Sequence, residues 1–187
     1  MPSARIFDHP MADEFLHAYC REASLTFLLG STPWDIDEAM TEFGFDIGPF
    51  ELQDQIGLDA IFQHINWGLL DYEQEHWALI PKRMFELGKL GKKTGAGWYR
   101  YPGGAGKVED PIVADLALEE AHFARLQRNE YDTLDIQNRL LAAINQTASR
   151  LSASGDPSHA SEELNLALKE FGFPNRQRIK LTYESSL

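Results

Sequence analysis

The run from Gly88 to Gly104, GKLGKKTGAGWYRYPGG, is where residue types and spacing come nearest to chemistry. Glycines beside Lys89, Lys92, Lys93 and Thr94 can aim backbone N–H groups at an anion while lysine adds a point charge, so a phosphate cradle is the chemistry to consider. The spacing is against it. A phosphate-binding loop needs G-x-x-x-x-G-K-[ST], yet Gly91-Lys92 is followed by Lys93, and Glu86 stands where the first glycine belongs. A dinucleotide fingerprint fails too, because Gly95-Ala96-Gly97 runs into Trp98-Tyr99-Arg100. What remains is a helix ending at Gly88, a glycine-punctuated turn and an extended aromatic segment.

The other chemistry-bearing types are dispersed. His9, His17, His64, His76, His122 and His159 include no pair at helical ligand spacing with an acid partner. Asp35/Asp37 and Glu162/Glu163 fall at expected exposed helix starts, where acids are ordinary. Cys20 cannot form an internal disulfide, being the single cysteine, and its apolar helical neighbours predict a buried thiol. Trp34, Trp67, Trp77 and Trp98 read as core or interface anchors. The sequon Asn145-Gln146-Thr147 sits on an apolar helix, a poor setting for glycosylation. No catalytic residue and no metal ligand set is assigned.

Several helices must position these residues. Phe15, Leu16, Tyr19, Ala23 and Phe27 mark one from about 12 to 29, closed by Gly30. Thr32-Pro33-Trp34-Asp35 is a cap with proline at the first helical position, and Gly44 stops the helix it opens. Gly48-Pro49 opens another, and the spacing in LDAIFQHINWGLLDYEQ predicts that helix resumes after Gly57. Residues 80–87, 111–128 and 134–153 also read as helical, and 101–106 reads as a linker. With no long β-branched alternation, the fold class is all-α.

Composition bounds the function. A chain of 187 residues with 43% hydrophobic content can bury a substantial core. No apolar run is long enough to span a membrane, and the N-terminus lacks a signal-peptide core, so the expected compartment is the cytoplasm. A net charge of −12 argues against nucleic acid. Residues 76–108 form one basic block, with 7 bases to 1 acid, preceded by 15 acids to 2 bases in residues 1–75. That block either faces an anionic ligand such as a coenzyme A phosphate or pairs with the chain's own acids, and internal pairing is the expectation.

The sequence also repeats itself. IDEAMTEFGFD (36–46) aligns with LNLALKEFGFP (164–174), and 13–30 aligns with 138–155 by apolar pattern, with a three-residue insertion near Asp156-Pro157-Ser158. The expected organisation is residues 1–107 as one helical unit and 108–187 as a second, truncated copy, packed on the first as a pseudo-dimer.

Residues 31–59, STPWDIDEAMTEFGFDIGPFELQDQIGLD, with 84–101, MFELGKLGKKTGAGWYRY, resemble the C-terminal domain of 3-hydroxyacyl-CoA dehydrogenase. The shared pattern is an Asp-Ile-Asp helix, a Phe-Gly turn leading to Gly-Pro-Phe, an Asp-x-x-Gly-Leu-Asp segment and Gly-x-x-Gly-x-Lys-[ST]-Gly-x-Gly-aromatic-Tyr. Residues 134–174 are similar to the second C-terminal repeat of the multifunctional fatty-acid oxidation enzymes. The resemblance implies the helical fold of the 6-phosphogluconate dehydrogenase C-terminal domain. It implies a structural role for Lys93, Thr94, Gly95, Gly97, Trp98 and Tyr99. It also implies that NAD and the catalytic His and Glu belong to a Rossmann domain outside these residues, so the chain alone binds no cofactor.

Departures from the pattern bear on substrate. Ala12-Asp13-Glu14 replaces Gly-Asn-Arg, whose Asn orients substrate in the family; Asp13 either keeps a substrate-facing place or serves the helix N-terminus, where a carboxylate is favourable. Asp46, Ile47, Gly48, Pro49 and Phe50 are the remaining substrate-facing candidates, and Asn175-Arg176-Gln177-Arg178 replaces the usual Arg-Gly-Gly-Pro. Two functions are carried forward. One is the substrate and dimerisation half of a β-oxidation dehydrogenase that takes acyl-CoA and needs an NAD-binding subunit in trans or a homo-oligomer. The other is a non-catalytic binding or scaffold module derived from that half.

Overall fold

The computed structural model describes residues 5–63, 65–104, 106–154 and 160–175. His64, His159, the insertion at 156–158 and Arg176-Gln177-Arg178 therefore lie outside the described residues. The all-α expectation holds: among the described residues eight α-helices are joined by short 3-10 turns and one two-residue antiparallel ladder.

Helix α1 (Pro10–Leu28) is the axis of the fold, with Phe15, Leu16, Tyr19, Cys20, Ala23 and Phe27 all buried. A helix apolar on most of its circumference must be surrounded. Here α7 (Thr133–Ser154) and α8 (Ala160–Phe171) pack along it, and α2 (Pro33–Phe43), α3 (Pro49–Ile56) and α6 (Pro111–Phe123) cover other faces. Thr32 caps α2 as its sequence requires, its Oγ1 accepting from Asp35 N at 3.1 Å and donating to the Asp35 carboxylate at 2.7 Å.

The segment after Gly57 corrects the sequence reading. Helix α4 is only Leu58–Ile61, and the chain then turns through the 3-10 stretch Trp67–Leu69. The reason is local. The Asn66 side chain accepts from Gly68 N at 3.2 Å, an Asx turn that competes with helix, and Tyr72 donates to Trp67 O at 2.6 Å. The apolar residues that mimicked a helix face instead gather Phe62, Trp67, Trp77 and Phe85 into an aromatic cluster.

Helix α5 (Leu79–Glu86) leads into the glycine loop. Strand β1 (Tyr99–Arg100) pairs antiparallel with β2 (Val108–Glu109), Tyr99 opposite Glu109. The stretch read as a linker thus lies between two paired strands.

The two Phe-Gly-Phe turns meet in the core. Phe45 lies 5.6 Å from Phe173 and 5.9 Å from Phe171, and Phe43 lies 6.0 Å from Phe173. Both turns close alike: Phe45 N donates to Met40 O and Phe173 N to Leu168 O, with Gly44 and Gly172 at φ of 127° and 89°. Only glycine adopts such a conformation without strain.

Candidate functional site

Of the residues singled out in 46–50 and 93–99, Gly48, Phe50, Gly97, Trp98 and Tyr99 meet two buried carboxylates. The first is Asp37, in α2, with 3% of its surface exposed. This corrects the reading of Asp35/Asp37 as an exposed pair: Asp35 is exposed, whereas Asp37 faces inward beside Ile36 and Met40. Its carboxylate accepts from Phe50 N at 2.8 Å and Glu51 N at 3.1 Å, capping α3 in place of Gly48, which has no side chain to do so. Gly48 is required there, since a Cβ would lie 2.3 Å from Asp37 Cα. The Tyr99 hydroxyl donates to Asp37 at 2.8 Å. Lys107 Nζ completes the set, 3.2 Å from Asp37 and 2.8 Å from Glu51, and lies over the Tyr99 ring at 4.5 Å.

The second is Asp54, in α3, 1% exposed. It accepts from Trp98 N and Tyr99 N, each at 2.9 Å, and from the Tyr101 hydroxyl at 3.0 Å. The neighbouring Gln53 accepts from the Trp98 indole at 3.1 Å. Gly97 passes so close that a Cβ would fall 2.0 Å from Asp54 Oδ1. Thr94 Oγ1 accepts from Leu90 N at 3.1 Å and lies 2.8 Å from Ala96 O, tying the loop to itself.

Burial raises the pKa of both carboxyl groups, and the donors around them oppose the rise. Asp54 is pushed up to about 6, burial dominating and the nearby Asp37 adding to it. Burial also raises the Tyr99 and Tyr101 hydroxyls, with the same carboxylates reinforcing the effect. Lys107 is held above its ordinary value despite burial, because Glu51 and Asp37 favour its charge. At Asp59 the hydrogen bond and charge of Lys93 outweigh burial and lower the pKa.

This arrangement is built to hold a shape. Trp98 N and Tyr99 N donate to Asp54, and Gly91 N and Gly97 N donate to Ala96 O and Tyr99 O, so these buried N–H groups of the loop do not face a phosphate. Five of the block's seven bases, Lys82, Arg83, Lys89, Lys93 and Lys107, pair with the chain's own acids, as expected. Arg83 meets Glu120 at 2.5 Å, and Lys89 meets Asp110, Lys93 meets Asp59 and Lys107 meets Asp37. Among the described residues no group of three or more His, Cys, Asp or Glu could hold a metal ion, and no helix is long and apolar enough to cross a membrane.

The substrate-facing candidates are dispersed. Gly48, Pro49 and Phe50 are buried, Phe50 lying 4.5 Å from Trp98, whereas Asp46 is exposed and Ile47 half-buried. Asp13 lies in the first turn of α1 and accepts from Phe7 N at 3.1 Å, while the adjacent Glu14 pairs with Arg150 at 2.9 Å. His9 caps the same helix, its Nδ1 accepting from Met11 N and its Nε2 lying 3.1 Å from Glu163. The sequence reading missed Asp37, Asp54, Lys107 and Tyr101. A signal existed for Asp54, which stands four residues from Phe50 on the buried face of α3.

Comparison with known proteins places this geometry. Residues 11–101 match the family model described as 3-hydroxyacyl-CoA dehydrogenase, C-terminal domain. The "Peroxisomal bifunctional enzyme" of Cavia porcellus is 27% identical in an alignment of 191 residues that covers 95% of this chain and 26% of that relative; the Homo sapiens enzyme of the same name is 25% identical with the same coverage. The "Fatty acid oxidation complex subunit alpha" of Acinetobacter baumannii (strain SDF) is 27% identical over 146 residues, covering 74% of this chain and 20% of that relative. The chain thus spans 26% of the length of the peroxisomal relatives it matches. A solved structure, the dehydrogenase part of multifunctional enzyme 1 from C. elegans, superposes with a TM-score of 0.67 at 24% identity, covering 89% of this chain and 37% of that one, and shares the fold.

Proposed function

We propose, with residues 11–101 belonging to the 3-hydroxyacyl-CoA dehydrogenase C-terminal domain family, that this chain is the substrate and dimerisation half of such an enzyme in fatty-acid β-oxidation. An NAD-binding domain, on the same or on another polypeptide, completes it. The observation that carries the proposal is the Asp54 knot within the matched segment. It spends the glycine loop's buried donors on structure, so hydride chemistry needs a cofactor site from elsewhere. The chain's contribution is a rigid wall. Asp37 and Asp54 fix α2, α3 and the loop relative to one another, and in this reading the turn at Asp46 and Ile47 lines a cleft between domains. The acyl-CoA substrate class is part of the proposal.

The organisation we propose is a duplicated unit, 1–107 and 108–187, packed as a pseudo-dimer. The matching closure of the two Phe-Gly-Phe turns and their mutual aromatic contact support it. Cytoplasmic residence is likewise a proposal; a fluorescent fusion scored against a peroxisomal marker tests it.

A specific observation favours a second reading, a non-catalytic module. Asp13 and Glu14 are engaged with Phe7 N and Arg150, which gives the start of α1 a structural occupation. With the exposed Asp46 they also add anions that repel a polyanionic coenzyme A ester. Titration with acetoacetyl-CoA separates the readings. Micromolar binding by the chain supports the substrate half, and no binding at millimolar ligand supports the module.

A further inference from the structure

We infer that a second, separate site exists at the junction of α1, α2 and α6, and that it takes a small uncharged molecule with a hydrocarbon body and one oxygen. The junction encloses a cavity of about 230 Å³, walled by Phe27, Trp98, Val113 and Pro33 and flanked by Trp34 and Leu118. Protein interiors seldom leave voids much larger than a water, and an apolar cavity of about 150 Å³ already accepts benzene. One ring or a short alkyl chain therefore fits this space. Trp34 and Leu118 are 42% and 56% exposed, which gives an apolar entrance from solvent.

One group in the wall asks for a partner. Ser31 is 5% exposed and its buried Oγ has no hydrogen-bond partner among the described residues. Buried hydroxyls are almost always paired, so an orphan lining a cavity marks where a ligand's oxygen belongs. The charged groups nearby are already engaged. Arg128 Nη1 donates to Phe27 O at 3.1 Å and Leu28 O at 2.7 Å, closing the end of α1. Asp110 accepts from Ile112 N at 3.1 Å and pairs with Lys89. Glu109 adds a negative charge to the same wall, which disfavours anions. An alcohol, ketone or amide on a ring or short chain satisfies Ser31 without burying a charge. The lining shares Trp98 and Tyr99 with the Asp54 arrangement but holds neither Asp46 nor Ile47, and its apolar space and Ser31 do not rest on the dehydrogenase reading.

The test is titration of the whole chain with cyclohexanol and with cyclohexane, followed by ¹H–¹⁵N spectra that resolve the Trp34 and Trp98 indoles. Saturable shifts at both, lost in Ala114→Phe, are expected, because Ala114 is an exposed residue of the lining and its replacement blocks the space without disturbing the core. Ser31→Ala is expected to weaken cyclohexanol about five- to tenfold, the worth of one hydrogen bond, and to leave cyclohexane unchanged. Circular dichroism verifies that both variants fold. The absence of saturable shifts, an unchanged response in Ala114→Phe, or equal weakening of both ligands by Ser31→Ala would overturn the inference.

Discussion

Replacing Asp54 by Asn removes a charge while keeping the shape, and its consequence for stability can be worked through pH. Asp54 titrates near 6 in the folded chain against an ordinary 3.8, so between those values the native state holds a proton that the unfolded state has released. Stability then falls as pH rises through that window and levels off above it, because the slope follows the difference in protons bound. At 1.36 kcal/mol per unit, the full shift corresponds to roughly 3 kcal/mol, of which roughly 2 kcal/mol falls between pH 4.5 and 7.5. Glu22 is raised in the same direction and persists in the variant, so it cancels in the comparison, while Asp37, also raised, is coupled to Asp54 and its change is part of the difference read. Urea unfolding at pH 4.5, 6.0 and 7.5 and constant ionic strength reads the difference. The wild-type chain should lose about 2 kcal/mol more than Asp54→Asn across that range. Parallel profiles for the two proteins would refute the placement of Asp54 as a buried, ionised hub.

Other substitutions probe the same frame. Gly97→Ala sets a Cβ 2.0 Å from Asp54 Oδ1, and forcing the loop off α3 should cost about 3 kcal/mol in a chemical denaturation series. Lys107→Met leaves Asp37 buried without its cation. Since the Lys107 side chain is 21% exposed, the expected loss is about 2–3 kcal/mol, below the range for a fully buried pair, and it should be larger at pH 8 than at pH 5. A double-mutant cycle on Phe45→Ala and Phe173→Ala should return a coupling of about 1 kcal/mol, measured from unfolding midpoints; a coupling near zero would remove the aromatic lock between the two turns.

Local chemistry was legible wherever it determines structure by itself. Thr32-Pro33-Trp34-Asp35 announced a capped helix, and the glycines of 88–97 announced a turn rather than a phosphate cradle. The internal pairing of the basic block also followed from charge counts alone, because cations with acids nearby in a compact fold find them. Two kinds of reading failed. In residues 58–74 apolar spacing resembled a helix, but an Asx turn at Asn66 and the packing of Trp67 against Phe62 and Phe85 were tertiary facts. Asp37 was taken for a solvated helix start because its partners, Tyr99 and Lys107, are 62 and 70 positions away along the chain. A carboxylate on a buried face is recognisable only once its donors are in view.

The central claim is that this chain supplies a substrate-facing half and gains dehydrogenase activity only from an added NAD-binding domain. The most direct measurement is acetoacetyl-CoA-dependent oxidation of NADH, followed at 340 nm, by the purified chain and by the material a tagged chain captures from its source lysate. The account predicts no turnover by the purified chain and turnover in the captured complex. Turnover by the purified chain, or an inactive complex in which an NAD-binding partner is verified, would contradict it.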